Sequence, residues 1–151
     1  MNRRTFLSVS CSAASIALAR NAPGDDSQDP WSKTELMEPQ ELAALLNSHG
    51  AVPYIYCVAF PVLYHGKHIP GAVFAGPANK AEGIEDLRKA VGRLPKNAPI
   101  VIYCGCCPMN HCPNIRPAYR TLKELGFHNL RVLNIPTNFH TDWVLKGYPV
   151  A

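Results

Sequence analysis

A chain of 151 residues, 47% apolar and 17% charged, holds enough hydrophobic material for one compact domain and too little length for a second. Fifteen Lys plus Arg against eleven Asp plus Glu give +4, but Arg3, Arg4 and Arg20 crowd the N-terminus, so the remaining body is only mildly basic. Without a long basic run or aromatic-basic interleaving, nucleic acid is not the expected partner. No hydrophobic run reaches the roughly 18 residues a membrane span needs.

The chain opens on Asn2-Arg3-Arg4-Thr5-Phe6-Leu7, then an uncharged stretch of small and apolar residues from Ser8 to Leu18, with Ala17-Leu18-Ala19 in the small-x-small form of a processing site. Residues 1–19 therefore read as a signal peptide of the bacterial twin-arginine type, which implies a periplasmic or otherwise extracytoplasmic protein. Pro23, Gly24, Asp25, Asp26, Ser27, Asp29 and Pro30 make residues 20–35 a flexible leader, and the folded domain is expected over 36–151.

Within that domain Pro39 to Leu46 has helical composition with proline in the first turn, and His49-Gly50 stops it. Tyr54 to Val58 reads as a buried strand followed by a loop. Ile69 to Phe74 is a turn leading into a short strand, and Ile84 to Val91 is a helix with Ile84, Leu87, Ala90 and Val91 on one face. Ile100 to Tyr103 is uninterruptedly apolar, as suits a parallel strand covered on both sides. Ala118 to Leu125 is a helix ended by Gly126, Leu130 to Leu133 a strand, and Asp142 to Lys146 a last short helix. Alternating strands and helices predict an α/β domain, three layers with a mainly parallel central sheet, whose ligands bind beyond the carboxyl ends of the strands.

The unusual chemistry lies at such an end. Four of the six cysteines, Cys104, Cys106, Cys107 and Cys112, fall in the loop between the apolar strand and the next helix. A loop that curls from a strand end into a helix N-terminus turns backbone N–H groups inward and favours an anion, so a thiolate there is stabilised and nucleophilic. Arg116, near the helix start, supplies a cation for an oxyanionic substrate. Asn114 is expected to cap the helix, with Pro117 in its first turn. Cys57, in an apolar strand, reads as a buried small hydrophobe, and Trp143 as core.

His68-Ile69-Pro70-Gly71-Ala72, the run of apolar strand, Tyr103-Cys104, loop, Arg116 and helix, then Leu125-Gly126-Phe127, Leu130 to Leu133 and Gly147-Tyr148-Pro149-Val150 together resemble the rhodanese-like (sulfurtransferase) domain family over about residues 36–149. The resemblance implies the rhodanese fold and a sulfurtransferase mechanism. Cys104 would attack a small sulfur donor such as thiosulfate or a persulfide, hold the sulfur as a persulfide, and pass it to a thiol or protein acceptor, with Arg116 as the second catalytic residue. The loop is an expanded variant, since twelve steps separate Cys104 from Arg116.

The added thiols admit three readings. Cys106, Cys107 or Cys112 resolves the persulfide by thiol redox chemistry; or Cys104, Cys106, Cys107, Cys112 and His111 hold a soft metal, zinc or copper; or a disulfide staples the loop. The transfer chemistry itself requires no cofactor. His111, Asn114 and His140 are candidate substrate-loop residues, and His68 is expected to hydrogen-bond the loop backbone rather than move protons. The alternative to a sulfurtransferase or thiol-redox protein is a non-catalytic periplasmic carrier that binds a metal or redox cofactor through the 104–112 cluster.

Overall fold

The computed structural model describes residues 29–48 and 50–151. The expected signal peptide and the leader through residue 28 lie outside the described residues.

The helix expected from Pro39 forms as α1 (Pro39–Asn47), with Leu42 and Ala43 turned into the core. Before it a two-residue strand, β1 (Leu36–Met37), pairs with a strand far along the chain. The remaining strands are β2 (Tyr54–Cys57), β3 (Val73–Phe74), β4 (Ile100–Tyr103) and β5 (Leu130–Leu133). All pairings are parallel, in the order β1-β5-β4-β2-β3. Helices flank this sheet, as the α/β reading requires. Strand β4 has a neighbour on each side and all four of its residues are buried, which is why it carries no polar alternation. Among the described residues no helix is long and apolar enough to cross a membrane.

The order of the sheet positions the site. From β2 the chain turns outward to β3, whereas from β4 it turns the other way to β5. The loops after β2 and β4 therefore diverge, leaving a crevice beyond their carboxyl ends, where open parallel sheets bind ligands.

Five expectations change. The segment after β2 is not a plain loop but a short helix, α2 (Pro61–Gly66), started by proline at a position where no donor is missed. The helix α3 (Ala81–Val91) starts three residues early, and α4 (Ile115–Glu124) starts directly at the cysteine loop because Pro117 is tolerated in a first turn. The final helix is earlier, α5 (Phe139–Asp142), because the Asn138 side chain accepts from the Thr141 N–H at 2.8 Å and begins it there; a separate helical turn covers Val144–Lys146. Residues 29–35, expected in the flexible leader, pack onto the domain: Trp31 is buried edge-on against Tyr119, and Glu35 accepts from the Tyr119 hydroxyl at 2.7 Å. Two aromatic rings and a shared carboxylate outweigh the breaker-rich composition of that stretch.

Candidate functional site

The Ile69-Pro70-Gly71 turn lies under the cysteine loop, and its Ile69 N–H donates to the Tyr103 hydroxyl at 3.2 Å. His68 behaves as expected of a structural residue: its Nδ1 lies 2.8 Å from the Tyr64 carbonyl, and its ring stacks on Tyr64. Trp143 is fully buried and donates through Nε1 to the Pro149 carbonyl, fixing the C-terminus. Cys57 is a buried thiol in β2 whose burial pushes its pKa up, consistent with a core role.

The strand delivers the chain to Cys104, and the next residue locks the loop. Gly105 has φ +71°, and a Cβ there would stand 2.6 Å from Phe139 Cβ. The Gly105 carbonyl accepts from the Phe139 N–H at 3.0 Å, so the loop is sewn to α5 by a contact that only glycine permits. Sequence reading did not single out Gly105 or Phe139. The positive φ leaves no trace in composition, and the partner is more than thirty positions away.

Beyond Gly105 the four cysteines of the loop gather as free thiols. The sulfurs of Cys104, Cys106 and Cys112 all lie within 4.8 Å of one another, and Cys107 Sγ is 3.1 Å from Cys106 Sγ. Cys104 and Cys112 are buried, while Cys106 and Cys107 are partly open. Asn114 stands at the helix cap position but does not cap it. Fully buried, its amide instead donates to Cys104 Sγ at 3.4 Å and Cys106 Sγ at 3.8 Å, while its oxygen accepts from the Asn79 N–H at 2.9 Å. A buried amide beside sulfur finds its partners there, which is why the capping expectation gives way.

The cluster favours its negative charge at the open end. Hydrogen bonds from the Cys104, Cys107 and Cys112 thiols and the Asn114 amide hold Cys106 down at about 5, against the opposing effect of burial. Cys104, donating to Cys106 and Cys112 and buried beside their charge, is pushed up. Burial and the hydrogen bond to Cys106 raise Cys107 to about 12. Cys112 is lowered, chiefly by the Cys104 thiol, with the Asn114 and Ile115 N–H groups assisting. Cys104, the nucleophile that the resemblance implies, is buried, and Cys106 is the clustered thiol that lines the crevice.

That crevice is a cleft of about 550 Å³ between α2 and α5, with Val62, Leu63 and Lys67 on one wall and Phe139, His140 and Val144 on the other. Cys106 and Gly105 form its floor. His140, a candidate from the sequence, is therefore brought to the same cleft as Cys106. On the inner side a small void of about 10 Å³ touches Cys104, Cys107, Cys112 and Met109 among apolar neighbours.

Arg116 goes elsewhere. Only 8% exposed, its Nη1 donates to the Met109 carbonyl at 3.1 Å and the Cys112 carbonyl at 3.4 Å, and its Nη2 pairs with Asp29. Trp31 covers its plane, with the ring centroid 5.6 Å from Cζ. None of these bonds reaches a cysteine sulfur; the guanidinium holds the loop's backbone from behind. Exposed His111 lines a separate outer groove with Asn110, Arg116 and Arg120, and stands outside the three-sulfur group.

The rhodanese-like domain family matches residues 38–135, about two thirds of the chain. The chain belongs to that family. Similar solved structures include a rhodanese-like protein from Anabaena sp., at 22% identity and TM-score 0.59 over 76% of this chain and 81% of that one. A Bacillus halodurans protein matches at 21% identity and TM-score 0.58, covering 76% of this chain and 74% of its own. A thiosulfate sulfurtransferase from Pseudomonas aeruginosa matches at 24% identity and TM-score 0.56, over 78% of this chain but 19% of that longer one. These likenesses show the rhodanese fold. No curated protein matches the chain. In this rhodanese-like domain the cysteine cluster lies at the carboxyl end of β4.

Proposed function

We propose that this rhodanese-like domain handles sulfane sulfur as a cysteine persulfide, with Cys106 as the receiving thiolate and Cys104 and Asn114 holding it. The observation that carries this reading is the placement of Cys106. It is the clustered thiol that lines the cleft where the loops after β2 and β4 diverge. Its thiolate attacks the outer sulfur of a donor, the S–S bond breaks toward the donor's remainder, and the transferred sulfur stays on Cys106 until a thiol acceptor attacks it. The arginine pair and small-residue stretch at the N-terminus support an extracytoplasmic setting for this chemistry.

Intact mass and peptide mapping of the full chain test the reading, after reduction and exposure to thiosulfate or to benzyl hydropersulfide. The expected result, with at least one of the two donors, is one sulfur delivered to the 104–112 loop, read as added mass on its peptide or as sulfide released from it, and absent in Cys106→Ser. A loop that takes up no sulfur from either donor overturns it.

A second reading rests on the three sulfurs within 4.8 Å: Cys104, Cys106 and Cys112 would hold a soft cation, Cu(I) or zinc, in a trigonal thiolate set. Cys107 and His111 stand outside that group, which narrows the ligands anticipated from the sequence. Metal that stays stoichiometric through dialysis and is lost in Cys112→Ser is its expected signature; a chain that comes through dialysis metal-free after loading with either ion refutes it.

A further inference from the structure

The sequence suggests Arg116 as the clamp for an oxyanionic donor, whereas its hydrogen bonds run to the loop backbone and to Asp29. Its Nη groups are engaged by Met109, Cys112 and Asp29 behind the loop, and the cleft in front of Cys106 is lined chiefly by Val62, Leu63, Phe139 and Val144, with Lys67 and His140 among them. A volume of about 550 Å³ lies in the range of small organic ligands and is far larger than an inorganic thiosulfate ion fills. Val62 is 75% exposed on the cleft wall, an apolar side chain left open to water. The cleft is suited to an uncharged carbon body that carries its sulfane sulfur to Cys106.

A second feature concerns what happens to the sulfur. Cys106 Sγ has three neighbouring thiols, Cys107 at 3.1 Å, Cys112 at 3.9 Å, and Cys104 within 4.8 Å, the last buried and tied to the Asn114 amide at 3.4 Å. Adjacent residues have Cα atoms about 3.8 Å apart, short of the roughly 4.4 to 6.8 Å a relaxed disulfide spans, so a Cys106–Cys107 bond is strained. Cys112 is six positions away across a curled loop and free of that restriction.

We propose that the site is a sulfide-releasing persulfide reductase acting on low-molecular-weight organic persulfides, with Cys106 as the attacking thiol and Cys112 as the resolving thiol. This rests on the sulfane-sulfur reading above and specifies its substrate and outcome. In the first step the Cys106 thiolate attacks the outer sulfur of R–S–SH; the S–S bond breaks, R–S⁻ leaves and takes a proton as R–SH, and Cys106 becomes a persulfide. In the second the Cys112 thiolate attacks Cys106 Sγ, forms the Cys106–Cys112 bond and expels hydrosulfide. The net change is one organic persulfide plus two thiols giving one organic thiol, one hydrogen sulfide and one disulfide. The sulfane sulfur is reduced by two electrons and the cysteine pair is oxidised by two. A dithiol reductant then reopens the disulfide for another cycle.

The test is a single turnover of the fully reduced chain, without oxygen or added thiol, with benzyl hydropersulfide or with thiosulfate. Free sulfide is measured alongside peptide mapping of the product. The expected result is one sulfide per chain from benzyl hydropersulfide, a mapped Cys106–Cys112 bond in the wild-type protein, and slower loading by thiosulfate. In Cys112→Ser sulfide release is lost and the persulfide accumulates on Cys106. Wild-type mapping carries the test independently of how the variant folds. The proposal is overturned by sulfur that enters Cys106 but leaves no disulfide, by a disulfide to Cys104 or Cys107 instead, or by thiosulfate loading as fast as the organic donor. Each of those outcomes leaves sulfur uptake itself intact, whereas no uptake from either donor removes the underlying reading.

Discussion

Replacing Arg116 with methionine separates two roles that the same residue type can play in a loop of this kind. As a substrate clamp its loss would weaken donor binding and leave the fold alone. In the structure its Nη1 ties the Met109 and Cys112 carbonyls, and its Nη2 meets a half-exposed Asp29. Charged donors to carbonyls contribute about 1.5 to 3 kcal/mol each, and the second bond, at 3.4 Å, belongs at or below the low end. The Asp29 pair adds only ~0–1 kcal/mol because solvent screens its exposed partner. Against these stands the relief of a buried, unpartnered Nε, which offsets about 1 to 3 kcal/mol. Methionine keeps most of the stem against Trp31, so the net loss comes to about 2 kcal/mol. Denaturant unfolding followed by tryptophan fluorescence reads that loss, and alkylation of the cluster thiols should quicken as the loop loosens. An unfolding free energy within about 0.5 kcal/mol of wild type, together with a raised KM for thiosulfate, would refute the reasoning and restore the clamp.

Gly105→Ala forces a side chain into the left-handed region and against Phe139, at about 1–2 kcal/mol for the backbone and 1–3 kcal/mol for the clash; denaturant titration should show a loss of about 2 to 5 kcal/mol. Because Cys106 is depressed to about 5, its thiolate is populated above that pH, so the rate of iodoacetamide modification should rise through pH 5 and be flat by pH 7, where an ordinary thiol is still climbing. A midpoint near 8.5 would show that the neighbouring thiols do not share its charge. Glu35 is opposed by burial but held down to about 2 by the Ser32 N–H, Tyr119, Lys123 and the Ser32 hydroxyl. Its depressed pKa means that the stabilisation is complete above the unfolded value of 4.5 and is lost as pH falls through about 2. Glu35→Gln should therefore cost about 1 kcal/mol at pH 7, with the gap to wild type closing in acid unfolding curves.

What was legible in the sequence follows the range over which its causes act. Strand β4 appears with the boundaries its apolar run predicts, because a strand covered on both faces writes its burial into consecutive residues, and β5 keeps its expected range although Arg131 interrupts its apolar residues. The His68 to Ala72 turn was legible for a similar reason, its glycine taking φ +78° where a side chain is disfavoured. Short helices such as α2 were not, since a six-residue element between proline and glycine reads equally as a turn. The site divides along the same line. That four thiols crowd one strand-to-helix loop is a matter of spacing. Which of them is open depends on Asn114 at the loop's own end and on Asn79 and Phe139, brought to the loop from two other parts of the chain. The surroundings of Arg116 show the same limit most clearly. An arginine at a helix start beside a thiol-rich loop has the chemistry of an anion clamp, and only the packing of Trp31 and Asp29, from a stretch whose composition suggests no structure, turns it inward. The nine residues from Cys104 to Cys112 form a long loop with no strand pairing of its own, and such a loop needs a fixed point beneath it. The guanidinium supplies that point by holding two of its carbonyls. In this chain the arginine is hydrogen-bonded to the loop it follows, and on the proposed reading recognition of the donor falls to the cleft in front of Cys106.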